Sequence, residues 1–201
     1  MKRYVLLTVA LLLPFIIHAV KTPVLVTSEV SFKITYHNFR LGYVKAIKQA
    51  DDEIHTYTIS GKAEGDLFLK KIVSENSIHS TFENNELISS VTFIKRNGRT
   101  LNNTSTMLSQ GKYIISTVEE TSRLQKNDIH FTVALLYFRE PLGIDHIYSE
   151  VWGKLLPLKK NNHQYSFTIP DGTTCTFNYE NGVLEEVISS TIIGEIKFTK
   201  E

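Results

Sequence analysis

Val30-Ser31-Phe32-Lys33-Ile34-Thr35-Tyr36-His37 alternates apolar and polar side chains without a break. Successive side chains of a β-strand point to opposite faces, so a period of two is what a strand with one buried and one wetted face requires. Tyr165, Phe167 and Ile169 repeat the pattern against Gln164, Ser166 and Thr168, and Cys175, Phe177 and Tyr179 repeat it against Thr176 and Asn178. Turn chemistry falls between such stretches. Asn97-Gly98, Asn181-Gly182 and Asp171-Gly172 tolerate the positive φ angles of a type I′ hairpin, and Gln110-Gly111 and Asn84-Asn85 are weaker versions.

Working outward, strands are expected over 29–37, 40–50, 53–60, 70–82, 86–96, 99–107, 112–119, 146–152, 163–170, 173–180, 183–190 and 192–199. Strands joined by turns of two to four residues pair antiparallel with their neighbours in sequence, which makes a meander. About twelve strands are too many for a small flat sheet. The expected fold is therefore all-β, an antiparallel meander curled into a barrel or half-barrel.

One segment breaks the rhythm. Ile129, Phe131 and the run from Val133 to Phe138 are nearly continuously apolar, with Asn127-Asp128 placed to cap a helix and Pro141-Leu142-Gly143 placed to stop it. A short buried helix near residues 128–138 fits, and so does a fully buried strand.

The chain opens with Lys2 and Arg3, an apolar stretch from Tyr4 to Ile17 interrupted by Thr8 and Pro14, and then His18-Ala19. That is the layout of a secretory signal peptide, and the stretch is shorter than the roughly 20 residues a membrane-crossing helix needs. Residues 1–19 are read as a signal peptide and 20–201 as a single β domain, within the size range of one sandwich or barrel. Export places the chain in the periplasm or outside the cell. Cleavage removes Lys2 and Arg3 and leaves 20 basic against 21 acidic residues. Lys70-Lys71, Lys95-Arg96 and Lys159-Lys160 are small clusters flanked by Glu or Asn, far from the basic field a nucleic acid needs. Nucleic-acid binding is excluded as a reading.

Cys175 is the single cysteine, so no internal disulfide can form, and its position between Thr174 and Thr176 in an alternating stretch reads as a small buried hydrophobe. Gly-x-Ser-x-Gly, a Gly-rich phosphate loop, His-Glu-x-x-His and closely spaced metal-binding cysteines are all missing from the sequence. No metal and no cofactor is expected. Asn102-Asn103-Thr104 matches a glycosylation acceptor, a pattern common by chance.

The densest polar grouping is Arg139-Glu140, Asp145-His146 and Ser149-Glu150, with Tyr148 and Trp152 beside it. On one strand His146 and Glu150 would stand about 13 Å apart at ~3.3 Å per residue, too far for direct proton exchange. A structural reading pairs Arg139 with Glu150 at the sheet edge. A binding reading makes Tyr137, Arg139, Glu140, His146, Tyr148, Glu150 and Trp152 one lip of a ligand site, since polar groups at the rim of an apolar cavity orient an amphipathic ligand. No residue is assigned a catalytic role.

Tyr137-Phe138-Arg139-Glu140-Pro141, Ile147-Tyr148-Ser149-Glu150, Gly153, Leu156-Pro157-Leu158, Tyr165, Pro170-Asp171-Gly172 and Tyr179 together resemble an uncharacterised family of exported bacterial β proteins, a domain of unknown function. Arg40-Leu41-Gly42, and Phe82 with Leu87-Ile88-Ser89-Ser90, are similar to a broader group of periplasmic proteins with a curved half-barrel sheet. The resemblance implies that fold, export and a Gram-negative envelope setting, and it carries over no catalytic residue. Two function classes follow: a non-catalytic binder of a hydrophobic or amphipathic envelope molecule such as a lipid, or a protein-protein interaction or assembly factor of the envelope. An unrecognised hydrolase is a third. A full or a hollow interior discriminates between the first two.

If residues 1–19 direct export, the protein recovered from the envelope fraction begins at or within a few residues of Val20. Intact mass measures this, and a membrane-bound form that keeps Met1 would contradict it.

Overall fold

Five hairpin turns each carry two successive residues of positive φ: His37-Asn38 (46° and 67°), Asn84-Asn85 (51° and 65°), Asn97-Gly98 (50° and 78°), Gln110-Gly111 (51° and 75°) and Asn181-Gly182 (50° and 78°). This is the type I′ pattern, whose twist matches that of the strands it joins. Asp171-Gly172 departs from expectation, because only Gly172 has positive φ (88°) while the Asp171 carboxylate accepts the Thr173 N–H at 2.8 Å. A side-chain turn does there what backbone conformation does elsewhere.

The computed structural model describes residues 26–51, 53–67, 70–125, 128–192 and 194–201, so the predicted signal peptide lies outside the described residues. The strands are β1 (Val26–Tyr36), β2 (Phe39–Ala50), β3 (Ile54–Leu67), β4 (Lys70–Glu83), β5 (Glu86–Arg96), β6 (Arg99–Ser109), β7 (Lys112–Ser116) and β8 (Thr121–Gln125). After one helical turn, α1 (Val133–Leu136), come β9 (His146–Ser149), β10 (Lys154–Pro157), β11 (Lys159–Asn161), β12 (Gln164–Thr168), β13 (Thr174–Glu180), β14 (Val183–Thr191) and β15 (Gly194–Lys200). Among the described residues, fifteen strands replace the dozen expected. β3 runs on to Leu67, the stretch read as 112–119 stops at Ser116, and the stretch read as 146–152 stops at Ser149. β8, β10 and β11 are too short and too polar to show a period.

Thirteen strands form one antiparallel sheet in the order β11-β12-β13-β14-β15-β1-β2-β3-β4-β5-β6-β7-β8, and β9 and β10 form a separate hairpin. It is a meander whose first and last strands pair, with Phe32 opposite Lys200 and Tyr36 opposite Ile196. Its terminal strands are β8 and β11, so the sheet curls without closing, as a half-barrel.

The chain between those two terminal strands fills the curl. The expected helix is present but spans a single turn, capped by Thr132 (φ −124°, ψ 163°) rather than by Asn127-Asp128. Asn127 lies outside the described residues, and Asp128 Oδ2 instead accepts the Gln125 N–H at 2.7 Å, closing the end of β8. Thr132 bridges Tyr148 in parallel, with the Tyr148 N–H donating to the Phe131 carbonyl at 2.8 Å. The segment is thus part extended chain and part helix, because it must reach both β9 and the sheet.

Aromatic rings seat it. Tyr137 meets Phe32 and Phe177 edge-on, at centroid distances of 5.6 and 6.2 Å, and Phe138 meets Tyr57 at 5.4 Å. The Tyr179 hydroxyl donates to the Leu136 carbonyl at 2.6 Å, giving one of the last helical carbonyls a partner. Ala134, Leu135 and Leu136 are buried with Phe32, Tyr57 and Phe177 in one cluster.

Phe32→Ala should cost about 3–5 kcal/mol, the usual range for emptying a buried aromatic site. Phe39→Ala, at a residue 74% exposed, should cost under about 0.5 kcal/mol. Urea unfolding of the two variants checks the contrast, and equal midpoints would contradict the seating of the inner segment against β1.

Candidate functional site

The chain after β9 turns on Ser149-Glu150-Val151-Trp152-Gly153, closed by the Gly153 N–H donating to the Ser149 carbonyl at 2.8 Å. Gly153 has φ +61°, and a Cβ there would lie 2.6 Å from Ile115 Cγ2, so the turn depends on glycine. This geometry sends Glu150 and the Val151 carbonyl inward, and it brings Trp152, half-buried, to an open cleft.

The inner side of the turn meets hydroxyls. On β5 and β6 the buried residues include Ser90, Thr92, Thr104 and Thr106, while Val91 and Met107 are exposed. Thr104 Oγ1 donates to the Val151 carbonyl at 2.8 Å, Asn102 Nδ2 donates to the same oxygen at 2.9 Å, and Thr92 Oγ1 reaches the Glu150 carbonyl at 3.4 Å. Thr106 Oγ1 and the Tyr148 hydroxyl share a bond of 2.6 Å. Turn carbonyls with no strand partner are satisfied in this way.

Glu150 is fully buried, and its carboxylate accepts the Val133 N–H at 3.0 Å and the Ala134 N–H at 3.1 Å, with Ser80 Oγ at 3.4 Å. Thr132 supplies no side-chain cap, so Glu150 gives the first turn of α1 its acceptor from across the fold. Burial pushes the Glu150 pKa up. Thr132 Oγ1, which lies near the carboxylate without a well-aligned bond, and the backbone N–H groups of Glu150, Ala134 and Val133 pull the other way without cancelling it.

The structure does not bring the seven expected residues together. Arg139 forms no ion pair with Glu150, which corrects the pairing expected at the sheet edge: its guanidinium lies over Phe131, 4.7 Å from the ring centroid. Tyr137 packs among aromatic rings, and its hydroxyl, like those of Tyr148 and Tyr179, is held above the usual tyrosine pKa by burial. His146 is exposed at the start of β9, opposite Pro157. Glu140 accepts from the Tyr165 hydroxyl at 2.8 Å and from His163 Nδ1 at 2.9 Å. Its burial would raise the carboxyl pKa, but those two bonds and the charges of His163 and Lys160 outweigh that and hold it below the ordinary value. Among the seven, Trp152 alone lines the cleft.

That cleft has a volume of 790 Å³, and its apolar lining includes Ile94, Leu101, Val118, Leu124, Trp152 and Leu155. Arg96, Arg123 and Lys154 also line it, with Glu119, Glu120 and Asp171. Sequence reasoning passed over its other walls, because they come from the ends of β5 to β8 and from the turn before β13, segments distant in sequence. The outward Leu101 and Val118, 47% and 64% exposed, were the available signal. Among the described residues no group of three His, Cys, Asp or Glu could hold a metal ion, and no helix is long and apolar enough to cross a membrane. The Cys175 thiol is half-buried and pushed up to about 11, chiefly by burial.

Glu150→Gln sets an amide NH2 against one of two N–H donors and should cost about 1–3 kcal/mol at pH 5. With its folded pKa raised, there is a pH range above the ordinary glutamate value in which the folded protein keeps the Glu150 proton that the unfolded chain has released. Its stabilising contribution is full below the ordinary glutamate value and is lost as pH rises through the raised one. The gap between wild type and Glu150→Gln should therefore narrow between pH 5 and pH 8 in urea unfolding. A gap that widens over the same range would mean that folding lowers the Glu150 pKa instead of raising it.

No curated protein and no solved structure matches the chain. A family model described as Domain of unknown function (DUF6134) does match, over residues 32–201, a range that takes in the end of β1, every later strand, α1 and the whole cleft, and the chain belongs to that family.

Proposed function

We propose that the mature chain is a non-catalytic binding module of the cell envelope that holds a hydrophobic or amphipathic molecule in the cleft beside Trp152. The observation that carries this reading is the cleft itself: 790 Å³ of space whose lining mixes apolar side chains, Trp152 among them, with charged ones. Ligand sites are commonly concave and apolar with a few polar groups that fix orientation, in the range of about 300–1,000 Å³. The interior of the half-barrel, the feature expected to separate a ligand binder from an interaction factor, is filled by α1 and the β9–β10 hairpin, so the binding reading rests on the surface cleft and not on a cavity inside the sheet. Glu150 and Tyr148 act inside the fold, where their polar atoms already have partners. The signal-like start of the sequence supports the envelope setting.

Trp152 is the one tryptophan of the chain, so its emission reports on the cleft directly. Titration with N-phenyl-1-naphthylamine should quench Trp152 and enhance the probe with saturable binding. Trp152→Ala should weaken uptake, followed by probe fluorescence, by roughly 10- to 100-fold, the equivalent of about 1.5–3 kcal/mol of lost apolar contact. Uptake that does not saturate, or that ignores Trp152→Ala, would remove the cleft from consideration.

A further inference from the structure

Ser122, Arg123 and Leu124 of β8 line the cleft, and β8 is a terminal strand of the half-barrel with one edge free of any strand partner among the described residues. In an antiparallel ladder, opposed residues alternate between pairs that exchange hydrogen bonds and pairs whose N–H and C=O groups face away from the partner strand. The Gln125 N–H donates to Asp128, so the pair Lys112–Gln125 is of the outward kind. Counting back by two, Ile114–Arg123 and Ser116–Thr121 are outward as well. The backbone N–H and C=O of Arg123 and Thr121 therefore face the seam, and among the described residues no strand pairs with that edge.

Side-chain direction follows from the same register. Ser122 and Leu124 are half-buried, and Leu124 packs against the core, whereas Thr121, Arg123 and Gln125 are exposed on the other face. The other edge is protected differently. β11 is three exposed residues, two of them lysine, a usual way to discourage pairing. β8 has no lysine, its one charged side chain is Arg123, and it borders a cleft that mixes apolar residues with charged ones of both signs.

Resting on the cleft reading above, we propose that the amphipathic molecule it holds is an extended segment of a partner polypeptide, added as a further strand on β8, with apolar residues turned toward Leu124 and Trp152 and acidic residues set against Arg123. Main-chain bonds supply affinity in this mode of recognition, and alternate side chains supply selectivity. Five residues of β8 offer about 17 Å of edge at ~3.3 Å per residue, the span of an ordinary strand. A second copy of this chain is a poor occupant. Two-fold pairing along the whole of β8 centres on Arg123 and sets arginine opposite arginine, and like charges directly opposed destabilise.

The test uses the acetylated, amidated heptapeptide Thr-Glu-Val-Glu-Leu-Glu-Thr, the same peptide N-methylated at alternate residues, and a version with Lys in place of Glu, each titrated against Trp152 emission. The unmethylated acidic peptide should bind and the methylated one should not. Arg123→Pro removes an outward N–H, a change edge strands tolerate. It should weaken the peptide by roughly tenfold, the worth of a lost backbone bond and its neighbour, in a variant whose near-ultraviolet circular dichroism shows it folded. Arg123→Glu keeps the backbone and should reverse the preference toward the Lys peptide, so the inference does not depend on the proline variant folding. Equal binding of methylated and unmethylated peptides, or no change of preference in Arg123→Glu, overturns strand addition. Uptake of the naphthylamine probe with no peptide binding sinks this inference and leaves the cleft reading standing, whereas uptake of neither removes both. A dimer in sedimentation that Arg123→Pro dissociates would name a second copy as the occupant and overturn the proposal.

Discussion

The Glu150 carboxylate, buried from solvent, accepts the N–H groups of Val133 and Ala134, and so ties the start of α1 to the turn after β9. Each supplies what the other lacks. Four residues are too few to hold a helix by their own hydrogen bonds, and the first N–H groups of any helix lack internal acceptors. A carboxyl taken from water into the core likewise needs donors. With the two joined, Tyr137 and Phe138 are aimed at Phe32, Phe177 and Tyr57, which belong to β1, β13 and β3 of the sheet. The position of the filling segment is thus tied to one buried carboxyl group.

The two ends of that segment are anchored by different chemistry. Toward β5 and β6 it is held by hydroxyls, with Thr92, Thr104 and Thr106 bonded to turn carbonyls and to the Tyr148 hydroxyl. These strands are inverted relative to ordinary amphipathic ones: threonine faces in, and Val91 and Met107 face out. Inversion is stable because the surface they meet is backbone, whose carbonyls need donors that valine could not supply. Toward β12 and β13 the anchors are phenolic. The Tyr179 hydroxyl reaches the Leu136 carbonyl, and the Tyr165 hydroxyl, itself pushed up to about 12 by burial and by the Glu140 carboxylate, donates to Glu140.

The meander and the half-barrel were legible because each depends on local signals, alternation in β1, β12 and β13 and Asn or Gly at the turns. The helical segment was legible as an interruption, but not in its cap, since Glu150 lies 17 residues from Val133 and no spacing rule connects them. For the same reason Arg139 was matched to Glu150 on charge alone, when the nearer attraction for its guanidinium is the Phe131 ring. Of the residues expected at a binding lip, Trp152 lines the cleft and Tyr148 and Glu150 turn inward. They were grouped by the density of polar residues in the segment, and that density does not say which way each side chain faces where β9 ends at Ser149 with Ile147, Tyr148 and Ser149 all buried. The remaining cleft walls come from hairpin ends that only tertiary structure brings together.

The seam stays open for a reason contained in this arrangement. A meander of thirteen strands has chain enough to approach closure, but the connection between its two edges runs through the interior. Filling the curl with α1 and the β9–β10 hairpin sets a minimum girth, and the strands available to close it are short: β8 has five residues and β11 three. Gly153, pressed against Ile115, fixes where the inner chain returns outward, and that point lies at the mouth of the gap. Glu150 and Trp152, two residues apart, therefore belong to opposite sides of one turn, the first held by the core and the second offered to whatever enters the seam. A ligand at Trp152 would bear on a turn whose other side is pinned to α1, so the site is backed by the most constrained part of the fold rather than by a free loop, which is the condition for a rim that keeps its shape before anything binds.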